Sequence, residues 1–144
     1  MKYKIELKTK IFNDSQKKRM PSLEKIKEAI DAYSKNGKGL IVKHDSVFDY
    51  QYNTRVDGYN TVDSLAVVGH ITNSVIEDDK LFLIVNINNN ESLDYKCICF
   101  FRSRMQNTTD NEDNTFNLFD IFAVDLIVAN SVSEGNISIV EKLK

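Results

Sequence analysis

The chain opens on a strict alternation of apolar and polar residues. In "YKIELKTKIF", residues 3–12, Tyr3, Ile5, Leu7, Thr9 and Ile11 share one face, while Lys4, Glu6, Lys8 and Lys10 take the other. Successive side chains of a strand point to opposite sides, so this period of two predicts a half-exposed strand. Its lysine-rich face would discourage edge-to-edge pairing if the strand lies at a sheet edge. The period then changes. After Pro21, Ser22 is a good N-cap residue, and Leu23, Ile26, Ile30 and Tyr33 recur at helical spacing beside Ala29. Glu24, Lys25, Lys27, Glu28 and Asp31 fill the opposite side. That spacing predicts one amphipathic helix laying a single stripe on a sheet, stopped at Asn36-Gly37.

The remaining pattern predicts strands. "GLIVK" (39–43) is short and apolar, and "VFDYQY" (47–52) alternates, with Phe48, Tyr50 and Tyr52 on one face. "VDSLAVVGHITNSVI" (62–76) reads as one long strand or two halves hinged near Gly69, because a glycine inside a strand marks a bulge or a bend. "EDDK" turns the chain into "LFLIVNI" (81–87), and "NNNES" turns it again into "LDYKCICFFRSR" (93–104). "FNLFDIFAVDLIVA" (116–129) is apolar on both faces, as a central strand is, and 137–141 can close the sheet. No second helix of comparable quality is expected. The whole of 1–144 is therefore expected to be a single α+β domain. One N-terminal amphipathic helix packs on a mainly antiparallel, twisted sheet or partly closed barrel of about seven strands.

Composition changes this picture little. A chain of 144 residues can bury a core without disulfides or metals. The formal charge is −2, with both signs interspersed, and the one basic cluster is Lys17, Lys18 and Arg19 with Lys10 upstream. This is not the concentrated basic face of a nucleic-acid binder, and no nucleic-acid partner is expected. The N-terminal segment lacks the apolar stretch of a signal peptide, and no apolar run is long enough to cross a bilayer as a helix. The expected setting is thus a cytoplasm or a virion, with no membrane partner. Cys97 and Cys99 stand two apart, on one face of a strand, in poor geometry for a disulfide and with no second ligand pair for a metal. The acidic loop 110–114 fails the calcium-loop pattern, with Thr115 in place of the glycine and Ile121 in place of the bidentate glutamate. No cofactor motif is present and no metal is expected.

Two histidines bear on chemistry. His70 follows Gly69 on a strand face shared with Thr72 and Ser74, and reads as a surface residue unless a nucleophile and an orienting group meet it in space. Ser103, Ser131, Ser133 and the cysteines are the nucleophiles to hand, none in a nucleophile-elbow pattern. His44 and Asp45 are adjacent and point to opposite strand faces, so they form no dyad and His44 reads as surface. Asp120 and Asp125 interrupt an apolar strand on opposite faces and read as solvent-facing or interface positions.

Three segments carry a family resemblance. "NDSQKKRMPSLEKIKEAIDAYSKNG" resembles the opening of tailed-phage prohead proteases, in which an Asn and an Arg-x-Pro step precede a helix. "VVGHITNSVIEDDKLFLIVNI" is similar to that family's segment around its catalytic histidine, and "FDIFAVDLIVANS" resembles a late strand. The resemblance implies phage origin and His70 as the catalytic histidine of a reduced serine hydrolase, with Asp125 and Ser131 available. The chain is shorter than those proteases and carries no clear serine motif on a later strand.

With no convergent catalytic cluster in the sequence, the leading expectation is non-enzymatic. It is a phage or mobile-element protein acting through protein–protein contacts, as a virion or assembly component or a small inhibitor of a host system. Partners would be another protein or further copies in a homo-oligomer. Phe48, Tyr50, Tyr52, Arg55 and Tyr59 are the candidate contact residues, since Tyr and Arg are frequent interface anchors.

Overall fold

The first strand, β1 (Lys2–Leu7), keeps the alternation of its sequence, burying Tyr3, Ile5 and Leu7 on one face. In the computed structural model, which describes residues 1–9, 21–35, 38–56, 58, 61–107, 116–129 and 136–144, β1 is an internal strand held between two antiparallel neighbours. Helix α1 (Leu23–Tyr33) begins where Ser22 caps it, its Oγ accepting the Lys25 N–H at 3.3 Å. Ile26 and Ile30, one turn apart, are its fully buried residues. They sit on the face of the sheet that also presents Ile5, Leu83, Phe101 and Leu126, and this is the main core.

Strand β2 (Leu40–His44) is followed by α2 (Val47–Val56), a short 3-10 turn (Ser64–Ala66), β3 (Val67–Glu77), β4 (Lys80–Ile87), β5 (Cys97–Asn107), β6 (Phe116–Val128) and β7 (Val140–Leu143). These strands form one seven-stranded mixed sheet in the order β5-β6-β2-β3-β4-β1-β7, so the fold is α+β. β2 and β6 run parallel and the other neighbours antiparallel. The β3–β4 hairpin turns on Asp78 and Asp79 at φ 51° and 60°, the left-handed pair that a tight primed turn requires.

The sheet curls until its two edges meet. Lys8 N–H, just past β1, reaches Cys99 C=O at 2.7 Å, and Ser138 N–H, just before β7, reaches Cys97 C=O at 2.9 Å. Cys97 and Cys99 both point into the core, fully buried with free thiols, as their two-residue spacing requires. Burial pushes the Cys97 thiol up to about 11 and the Cys99 thiol well above its usual value.

One expected strand is a helix. Residues 47–52 fall in α2, which Ser46 caps by accepting the Asp49 N–H at 3.0 Å. The alternating aromatic residues there fit a strand, but Ser46-x-x-Asp49 is a helix-start signal, and Asp49 and Arg55 suit the two ends of the helix dipole. The segment 62–76, in contrast, holds one strand, β3, with irregular register opposite β2 near Gly69 and opposite β4 near Thr72. The Asn36-Gly37 stop, the basic cluster at 17–19 and the acidic loop 110–114 lie outside the described residues.

Candidate functional site

Alternation on three adjacent strands builds the site. On β6, Val124 and Leu126 enter the main core, so Asp125 faces the other side of the sheet, as does Ile127. On β5, Cys99 and Phe101 enter the core, so Phe100 and Arg102 face outward with Asp125. On β2, Ile41 enters the core, so Val42 and His44 face outward too. The register sets Asp125 opposite Phe100 on one flank and Val42 on the other, so one carboxylate lies between a basic residue from each neighbouring strand.

The three side chains join. Asp125, 0% exposed, takes Arg102 as a fork, with Nε–H to Oδ2 at 2.9 Å and Nη2–H to Oδ1 at 3.0 Å. His44 Nε2 lies 2.7 Å from the same Oδ1. A carboxylate only accepts, so this bond needs a proton on Nε2, and in the neutral imidazole Nδ1 is then an acceptor. Nδ1 is buried with no hydrogen-bond partner. The guanidinium and carboxylate charges cancel, which is what allows both to sit in the sheet's apolar interior. Arg102 Nη1 also donates to Thr61 C=O at 3.0 Å and so ties the segment before β3 to the sheet.

His44 and Asp125 are therefore not surface or interface residues; they are buried partners of one another. The Asp45 beside His44 is exposed and takes no part. Asp120 is exposed, and it is not on the opposite face from Asp125 as plain alternation predicts: a bulge between them turns Ile121 to the main core and so sets Asp120 on Asp125's side of β6.

Helix α2 roofs this site. Tyr50 turns inward, its ring edge-on to His44 at 5.2 Å and to Phe100 at 5.0 Å. Beneath α2 is a cavity of about 380 Å³. Val42, His44 and Arg102 form its floor, Asn53 and Thr54 of α2 one wall, and Thr61, Val62, Asp63 and Ala66 the other. The hydroxyls of Thr54 and Thr61 donate to the Tyr50 and Gly58 carbonyls at 2.8 and 2.9 Å. Chemically, the arrangement is a neutral, pre-ordered polar floor that can offer a hydrogen-bond acceptor to a small molecule. Among the described residues no group of three or more His, Cys, Asp or Glu is placed to hold a metal ion.

The other candidate residues are dispersed. His70 is half-buried on β3 with Leu40 and Asn86 as its strand neighbours, and it does not line this cavity. Ser103 is buried on β5, and its Oγ has no hydrogen-bond partner. Ser131, Ser133 and Tyr59 lie outside the described residues. Of the aromatic contact set, Phe48 and Tyr52 stand one helical turn apart on the exposed side of α2, stacked at 6.3 Å. Arg55 is exposed on the same helix, while Tyr50 is turned to the site. The helix thus separates residues that a strand would have aligned.

The buried carboxylate–arginine pair, though not His44, was within reach of sequence reasoning. A carboxylate in the middle of an apolar central strand needs a cationic partner, and of the two arginines in the strand that pairs with it, Arg102 is the nearer in register to Asp125. Compared with known protein families, curated proteins and solved structures, the chain matches none. Among the described residues no helix is long and apolar enough to cross a membrane.

Proposed function

We propose that this protein acts by contact, binding another protein or a second copy of itself through the outer face of α2. One observation carries the reading: Phe48 is 72% exposed, Tyr52 55% and Val56 60%, at positions i, i+4 and i+8 of one helix. Residues at that spacing share a face, so three large apolar groups form a continuous stripe open to solvent. Single exposed apolar residues are ordinary, but a stacked aromatic pair extended by a valine is the form of an interface centre. Arg55 flanks the stripe and adds a long, planar donor group.

A finer identity accompanies this reading: a phage or mobile-element protein, either a virion or assembly component or a small inhibitor of a host system. It would work in the host cytoplasm or in the virion. The support is the resemblance to prohead proteases and a composition rich in Asn, Lys and Ile.

The test is size-exclusion chromatography with light scattering over a wide concentration range, on the wild type and on Phe48→Asp/Tyr52→Ser. The expected result is a concentration-dependent rise in mass that the double variant loses, at a stability change within about 0.5 kcal/mol because the sites are surface positions. A monomer at every concentration would count against assembly through this face. A rise in mass shared by the variant would place the contact elsewhere.

A further inference from the structure

We propose that the cavity beneath α2 is a binding site for a small uncharged molecule that donates a hydrogen bond to His44 Nδ1. This site lies on the side of α2 away from the exposed stripe and does not depend on the contact reading. Four observations converge on it.

The volume of about 380 Å³ falls at the small end of ligand cavities, which run from about 300 to 1,000 Å³. The lining mixes apolar Val42, Val62 and Ala66 with the Asn53 amide, the composition such sites share. The charges of the lining do not call for an ion. Arg102 is neutralised by the Asp125 fork, so an anion meets no uncompensated cation on the floor. A cation meets Asp63, which is solvent-exposed and whose Oδ1 already accepts the Leu65 N–H at 3.0 Å.

The last observation fixes the polarity of the ligand. The Asp125 charge is already matched by Arg102, so the neutral imidazole leaves the trio without excess charge, and in that form, with Nε2–H held by Asp125, the buried, unpartnered Nδ1 is an acceptor without a donor. The atom is covered in this structure. Its neighbour Tyr50 belongs to a helix with no fully buried residue, so α2 can shift and admit a ligand without unpacking the main core. An amide N–H or a hydroxyl then completes the set, as in a nucleobase, a carboxamide or a polyol.

The test uses the full chain labelled with nitrogen-15, titrated with uracil, nicotinamide, D-ribose and myo-inositol as uncharged probes. Acetate and ethylammonium are the charged controls. At least one uncharged probe is expected to give saturable shifts confined to residues 42–54 and 61–66, with a change in the His44 Nδ1 resonance. Filling the cavity with Ala66→Phe is expected to weaken that binding at least tenfold. Val62→Phe serves the same purpose if the first variant fails to fold, as judged by circular dichroism. The proposal is overturned if none of the four probes gives saturable shifts, if acetate or ethylammonium binds more tightly, or if a folded cavity-filling variant binds unchanged.

Discussion

At the scale of single residues, the fold rests on burying one carboxylate between two basic groups. Arg102 is 2% exposed and Asp125 0%, so neither can recover water when the other is removed. Asp125→Ala strands a guanidinium in the sheet and is expected to cost about 3–5 kcal/mol. Replacing the pair together, Arg102→Met with Asp125→Leu, is expected to recover most of that loss, because no charge is then left unpaired. Urea denaturation of the two variants checks both statements, and a single variant costing less than about 1 kcal/mol would mean that the site admits water. The sequence shows part of this. The alternation in β6 marks Asp125 as an anomaly in an apolar run, and the spacing of Cys97 and Cys99 places both on one face. His44 is not legible in the same way, since its partner lies 81 residues along the chain and strand order decides that they meet.

At the scale of elements, structure is legible in local sequence where a single period dominates and ambiguous where two signals compete. α1 has one apolar stripe and a capping serine, and it forms as its spacing predicts. In 47–56 the aromatic alternation competes with the Ser46-x-x-Asp49 cap, and the cap prevails because the outer stripe needs no core to cover it. Gly69 belongs to the legible class. The bulge expected there matches the register shift opposite β2, and the structure adds a close approach: a Cβ there would stand 2.2 Å from the Asn86 carbonyl oxygen and 3.0 Å from Ile87 Cα. Both are backbone atoms of β4, which cannot turn aside as a side chain can. Gly69→Ala is therefore expected to force the two strands apart, destabilising the protein by about 3 kcal/mol, at the upper end of overpacking costs. The His70 amide, next in the chain, should then exchange faster with solvent than amides at the far end of the hairpin. A variant as stable as the wild type would show that β3 can bow outward freely, and the close approach would then not be what holds a glycine there.

At the scale of the whole molecule, the sequence conveys class and strand number but not order. Hairpins such as β3–β4 are local and follow from short turns, whereas the parallel pair of β2 with β6 joins residues 41–44 to 124–127. No periodicity records such a contact. The seam that draws the two sheet edges together is equally remote, and one side chain adds to its backbone bonds. Ser138 donates its N–H to Cys97 C=O, and its Oγ accepts the buried Cys99 N–H at 2.8 Å. On the other flank, Glu6 N–H reaches Ile139 C=O at 2.8 Å, and Ile139 N–H reaches Glu6 Oε1 at 3.1 Å. Ser138 thus connects β5 to the segment that leads into β7. Ser138→Ala removes the acceptor and leaves the Cys99 N–H without it, at a cost of about 1–3 kcal/mol. The distribution of that cost matters more than its size. If the seam is the weakest closure of a curled sheet, hydrogen exchange should quicken at Cys99 and Val140 well before it quickens at Leu83 or Val85 in the internal strand β4. The sheet would then open from its edges, as local unfolding of a low-stability unit does. Uniform acceleration across all strands would instead make the seam part of one cooperative core, and the curl would be as stable as the strands that form it.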